Sequence, residues 1–205
     1  MSQFFQIHSE NPQLRLINQA VSLLRKGGVV VYPTDSGYSL GCHIGDKDAL
    51  NRIRRIRQLD DKHPFTLVCR DLSEIGVYAK VENSAFRFMK SHTPGPFTFI
   101  LSATREVPRR LQHPKRKTIG YRVPDNKIAL DLLEAMGEPI MNTSLIMPAD
   151  KTILIDIDEI RQRLEKQVDL IIDGGYCGDT PTTVIDMTGD SPSLIRQGAG
   201  ETDAI

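Results

Sequence analysis

An apolar run, Val29-Val30-Val31-Tyr32, leads directly into Pro33-Thr34-Asp35-Ser36-Gly37-Tyr38-Ser39-Leu40-Gly41. Four consecutive apolar residues with three β-branched side chains read as a strand buried on both faces, which calls for a sheet covered by helices. The segment that follows carries hydroxyls, a carboxylate and glycines. At the carboxyl end of a strand in an open α/β sheet, such a segment is where a polar ligand binds. Glycines and small hydroxyl residues let backbone N–H groups approach an anion closely. The same residues also serve as a plain strand-to-turn junction with local hydrogen bonds.

Further elements alternate along the chain. Asn11-Pro12 forms a cap and first-turn pair ahead of Leu14, Ile17, Val21 and Leu24 at helical spacing, and Gly27-Gly28 ends that helix. Asp46 caps a helix to about Gln58, and Asn126 caps another with Leu130, Leu133 and Met136. Short helices are expected near 72–78, 84–91 and 157–165. Strands are expected at Val29–Tyr32, Phe65–Cys69, Phe97–Leu101, Thr118–Val123, Ile140–Thr143, Val168–Ile172, Thr183–Met187 and Leu194–Arg196. The result is an α/β chain of about seven principal strands. Some connections are too short for helical crossovers, so the sheet is expected to be mixed. With 205 residues, a single domain over 10–200 is the natural reading.

Composition narrows the class. Apolar content is 40% and charged content 25%, as in an ordinary globular domain. No apolar run has the length of a membrane span, and the first residues lack a signal peptide's pattern, so the cytoplasm and no membrane partner are expected. Cys42, Cys69 and Cys177 are scattered and fit neither a disulfide framework nor a zinc site. His8, His43, His63, His92 and His113 have no metal-ligand spacing. No metal site is expected. Walker, dinucleotide and nucleophile-elbow motifs are absent.

Charge is uneven although the formal net charge is zero. Residues 1–130 hold 21 Lys and Arg against 11 Asp and Glu, and residues 131–205 hold 5 against 15. Arg52, Arg55, Arg109, Arg110, Lys115, Arg116 and Lys117 are the candidates for contact with nucleic acid. Solvated helix and loop faces are the alternative for such runs. Arg122 and Arg196 stand on strands, where an arginine needs an anion, either a ligand or a structural carboxylate.

Taken in order, the segments 33–41, 94–98, 119–124, 169–175, 182–186 and 194–198 resemble the YrdC/YciO family of threonylcarbamoyl-AMP synthase-like proteins, and its YciO branch most. The resemblance runs from about residue 10 to 200. It implies an open, twisted mixed β-sheet with flanking helices and a concave basic cleft. It implies L-threonine, bicarbonate and ATP with Mg2+ as a substrate complex, with no tightly bound cofactor. It also implies double-stranded RNA or tRNA as a partner. By resemblance, Thr34 and Thr98 contact the amino-acid or carbamate end. Arg122, Ser144 and Arg196 contact the nucleotide, and Arg57 stands where the family has a lysine. Two departures occur. The family's Lys-x-Arg reads Arg57-Gln58-Leu59, and its Ser-x-Asn reads Ser144-Leu145-Ile146. Ser39 stands where glycine is usual. These departures imply weakened or altered activity, or a non-catalytic RNA-binding module. Asp173, before a Gly-Gly turn, reads as a turn-shaping residue.

Overall fold

The computed structural model describes residues 1–203. In chain order the elements are β1 (Gln3–Gln6), α1 (Leu14–Arg25), β2 (Val30–Thr34), β3 (Gly37–His43), α2 (Lys47–Arg57), β4 (Thr66–Val68), α3 (Ile75–Tyr78) and β5 (Ala79–Lys80). There follow α4 (Asn83–Ser91), β6 (Phe97–Ala103), β7 (Thr118–Arg122), α5 (Lys127–Met136), β8 (Ile140–Ser144), α6 (Ile157–Leu164), β9 (Leu170–Asp173), β10 (Thr183–Asp186) and β11 (Ser193–Arg196). A single 3-10 turn, Arg109–Leu111, interrupts the basic loop.

All the strands join one sheet in the order β1-β9-β2-β3-β8-β4-β7-β6-β10-β11, with β5 added on β6. Parallel pairs (β1 with β9, β4 with β7) occur beside antiparallel ones (β2 with β3, β6 with β7), so the sheet is mixed as the short connections required. The strand count among the described residues is eleven, not about seven. The largest addition is β3. Residues 33–41 are not a loop but a hairpin, in which Thr34 pairs with Gly37 across the two-residue turn Asp35-Ser36. Gly37 has φ +103°, and a Cβ there would meet Ile153 Cγ2 at 2.9 Å. No L side chain fits that conformation and space. At the N-terminus, β1 pairs with β9 ahead of residue 10.

The apolar run explains its own pattern. Val29 and Val31 belong to one core layer with Leu50, Ile53 and Ile160, from α2 and α6. Val30 and Tyr32 belong to the other, with Ile17, Leu24 and Leu132, from α1 and α5. Alternation sends successive residues to opposite faces, and both faces are covered, so every position is apolar. Each such side chain contributes roughly 1.5–3 kcal/mol by leaving water.

Two caps stand as read. Asp46 Oδ1 accepts from the Ala49 N–H at 2.8 Å, and Asn126 Oδ1 from the Ala129 N–H at 3.1 Å. The Asn11 cap does not. Helix α1 starts at Leu14 after Gln13, Leu14 is 69% exposed, and the Asn11 N–H is held by His8 Nδ1 at 3.0 Å. Local turn chemistry at His8 takes the chain past the proline before the helix begins. Replacing Asn126 by alanine is expected to cost about 1 kcal/mol, read as a lowered urea midpoint with unchanged slope.

Candidate active site

Strands β7, β4 and β8 carry a row of small and polar residues on one face, Gly120 opposite Thr66 and Thr66 opposite Asn142, and Ile100 of β6 flanks it opposite Gly120. On the same strands Phe99, Tyr121, Leu67 and Met141 are fully buried in the core. The polar face opens into a cavity of about 320 Å³. Gly120 forms part of its floor. A Cβ there would lie 2.7 Å from Thr66 Oγ1 and 3.2 Å from Thr98 Cγ2, so the Thr66 hydroxyl and the Thr98 methyl take the space a side chain would need.

The register gives the cavity two ends. At one, Arg196 of β11 lies opposite Val184 of β10, which lies opposite Thr98 of β6. Here the Thr98 and Thr182 hydroxyls bond at 2.8 Å, and Arg196 Nη2 donates to the Thr182 carbonyl at 2.8 Å. Arg122, at the end of β7, belongs to this side. At the other end lies Ser144, because β8 runs antiparallel to β4 and Ile140, not Ser144, sits beside Val68 opposite Arg122. Arg57, the last residue of α2, reaches this end. Its Nε donates to the Ile146 carbonyl at 2.7 Å and its Nη1 to Thr143 Oγ1 at 2.6 Å. His63 lies close enough to Arg57 to feel its charge, and His113 and Arg116 also line the cavity.

Five of the six candidate ligand residues therefore line one cavity: Arg57, Thr98, Arg122, Ser144 and Arg196. Thr34 does not. It is fully buried, its hydroxyl donating to the Gly37 carbonyl at 2.6 Å and accepting from the Ser36 N–H at 3.1 Å. Its side chain is committed to the hairpin turn. Of the two departures, Ile146 lines the cavity. Leu59 lies instead beside Arg54 and Arg55 on an outer groove and packs against the core.

Electrostatics separate the arginines. Arg122, 2% exposed, pairs with Asp35. The other Asp35 oxygen accepts from the Asp125 N–H at 3.0 Å. Arg122 thus takes the structural-carboxylate alternative, and its Nε is left with no partner. Arg116 pairs with Asp186. Arg57 and Arg196 have no carboxylate partner among the described residues, and burial pulls the pKa of each below its ordinary value. Burial, then the cations Arg57 and Arg54, holds His63 below the usual imidazole range. No Asp or Glu lines the cavity, and among the described residues no cluster of three or more His, Cys, Asp or Glu could hold a metal.

Asp173 shapes its turn: Oδ1 accepts from the Gly175 N–H at 2.9 Å, and Tyr38 Oη donates to the Gly175 carbonyl at 2.7 Å. The basic candidates divide. Arg52 is tied to Asp169 at 2.7 Å and Arg110 to the Gly45 carbonyl at 2.7 Å. Arg55, Arg109, Lys115 and Lys117 are exposed. Sequence reasoning missed Thr66, Thr182 and the two cavity histidines as lining residues. Thr182 opens a segment matched to the family, but nothing local marks His113.

The family model Sua5_yciO_yrdC, described as "Telomere recombination", matches residues 22–198. The chain belongs to the Sua5/YciO/YrdC family. It is 64% identical to Escherichia coli K12 YciO over 201 residues, covering 98% of each chain. The YciO crystal structure superposes with a TM-score of 0.94. Mouse threonylcarbamoyl-AMP synthase is 28% identical over 190 residues, 89% of this chain but 66% of the mouse protein. P. abyssi Sua5 complexed with L-threonine is 28% identical with a TM-score of 0.88, and the match spans 96% of this chain and 58% of Sua5. The open mixed sheet with its flanking helices is thus the YrdC-like fold, and the family is related to threonylcarbamoyl-AMP synthase.

Proposed function

We propose that the cavity binds an adenine nucleotide with Mg2+, and supports slow formation of threonylcarbamoyl-AMP or a related adenylate from L-threonine, bicarbonate and ATP. The observation that carries this reading is the pair of carboxylate-free guanidiniums, Arg57 and Arg196, at opposite ends of a cavity without acidic lining. Two cations at opposite ends of one cleft favour a ligand with well-separated anionic groups. The relatedness to threonylcarbamoyl-AMP synthase supplies the reaction class.

In that reaction the carbamate oxygen of N-carboxy-threonine attacks the α-phosphorus. The bond from that phosphorus to the bridging oxygen breaks, and pyrophosphate leaves with the electron pair. The residues act by positioning and by neutralising charge. Arg57 and Ser144 hold one end of the ligand. Arg196, Thr98 and Thr182 hold the other. Gly120 keeps the floor low enough for the ligand to lie along it. Ile146 puts an aliphatic group where the family pattern has an amide, which removes one charge-assisted hydrogen bond.

The test is pyrophosphate release from ATP, with and without L-threonine and bicarbonate. The native chain is expected to turn over slowly and only with both co-substrates. Ile146→Asn is expected to raise the rate roughly 10–100-fold, since such a bond contributes about 1.5–3 kcal/mol. Silence from the native chain and from Ile146→Asn alike defeats the catalytic reading.

A second reading has its own observation. The loop that supplies His113 and Arg116 to the cavity also exposes Arg109, Lys115 and Lys117. This strip suits the phosphate backbone of double-stranded RNA or tRNA, recognised by shape. Binding of this kind weakens steeply with salt, the log–log slope following the number of phosphate contacts. No helix among the described residues is long and apolar enough to cross a membrane.

A further inference from the structure

Three histidines in this chain use the same local device, and one of them is left with something to spare. In each, Nδ1 accepts from backbone N–H groups two or three residues ahead. His8 Nδ1 accepts from Glu10 and Asn11, His43 Nδ1 from Gly45, and His113 Nδ1 from Lys115 and Arg116 at 3.3 and 3.1 Å. A nitrogen that accepts from an amide carries a lone pair there, so the ring proton sits on Nε2. The three differ in what that second N–H meets. His8 is on the exposed surface. His43 Nε2 is taken by Glu138 Oε1 at 2.7 Å. His113 lines the cavity, and its Nε2–H has no protein partner among the described residues.

The mounting of His113 is firm. Its N–H donates to the Thr118 carbonyl at 2.9 Å, and its own carbonyl accepts from the Lys117 N–H at 2.8 Å. The ring is therefore attached to the start of β7, at the Arg57 and Ser144 end of the cavity. Beside it, Arg116 is neutralised by Asp186. At this point of the wall His113 offers a directional donor, while Arg57 offers the charge.

We infer that His113 donates its Nε2–H to a phosphate oxygen of the bound ligand and selects for a polyphosphate at the Arg57 end. This rests on the nucleotide reading and names a contact within it. The capping of the loop and the contact with ligand are separable by one substitution. Asparagine accepts from backbone N–H groups two residues ahead in the same way, but is too short to reach the ligand. The variant is His113→Asn, with His8→Asn as control and Arg57→Met as a reference for losing the charge.

The experiment is calorimetric titration of the full chain with inorganic pyrophosphate and with ATP. The expected result is roughly 10–100-fold weaker pyrophosphate and ATP binding in His113→Asn, the range for a hydrogen bond to a charged group. Melting temperatures should be unchanged, and His8→Asn should bind as the native chain does. Native-like affinity in His113→Asn, with binding weakened in Arg57→Met, overturns the His113 assignment and leaves the nucleotide reading standing. Absence of binding by the native chain overturns both.

Discussion

Replacing Asp35 by alanine is expected to destabilise the protein by about 3–5 kcal/mol. The residue stands in a two-residue hairpin turn, where a surface aspartate would ordinarily be dispensable. Here it is the counter-charge of Arg122, whose side chain is 3% exposed, and it also caps the Asp125 N–H. Removing it leaves a guanidinium in the interior with its Nε already unpartnered. For a chain of this length the melting temperature should fall by on the order of 6–20 °C. Exchanging both partners together, Asp35→Ala with Arg122→Met, should recover much of the loss, because a buried pair is easier to replace than to break. The pair also sets the charge of the cavity: without Asp35, Arg122 acts as a third uncompensated cation, and phosphate should bind more tightly to whatever fraction stays folded. A single variant within about 1 kcal/mol of the native chain in urea unfolding would sink this account.

The second large effect is on ligand affinity. Arg57→Met and Arg196→Met should each weaken ATP binding roughly 10–100-fold, from about 1.5–3 kcal/mol per charge-assisted contact. The two side chains share no hydrogen-bond partner: Arg57 bonds to Thr143 and Ile146, and Arg196 to Thr182. Their effects should therefore nearly multiply, giving on the order of 10²–10⁴-fold in the double variant. Arg116→Met is the informative comparison. It lines the same cavity, but Asp186 already satisfies it, so its loss should matter far less. A double variant that binds ATP within about threefold of the native chain would show that the ligand lies elsewhere, since about 1.4 kcal/mol corresponds to tenfold.

These predictions depend on contacts that differ in how far the chain itself announces them. The caps at Asp46 and Asn126 act on amides three residues away, so both were readable. The continuous apolar run foretold a sheet covered on both faces. β3 was hidden because Gly37, Ser39 and Gly41 dilute its apolar pattern, and Asp35-Ser36 is not a glycine-marked hairpin turn. β1 was hidden because four residues, two of them glutamine, give no period to read. The arginines on strands signalled that an anion was needed, but not which one: Asp35 lies 87 residues from Arg122. The resemblance placed Arg57, Thr98, Ser144 and Arg196 in one cleft, and it could not show that the Thr34 hydroxyl is used up in its own turn. Leu59 stands at the arginine position of the family's Lys-x-Arg, and it lies along the outer groove. The sequence interval between Arg57 and Leu59 says nothing of this, because Gln58 takes a left-handed conformation, φ 52°, and turns the chain between them.

One cleft residue sits on an exposed edge strand. β11 is the terminal strand of the sheet, joined to it through β10, and all four of its residues are exposed, Leu194 and Ile195 among them. Little apolar burial opposes fraying there, so local opening is cheap compared with global unfolding. Each opening carries Arg196 away from the cavity while the rest of the site stays assembled. The apparent affinity for an anion is then the intrinsic affinity scaled by the fraction of time the edge is closed. A bound ligand, in turn, acts as a clasp on the margin of the sheet: amide exchange in Ser193–Arg196 should slow on ligand binding by a larger factor than in any interior strand.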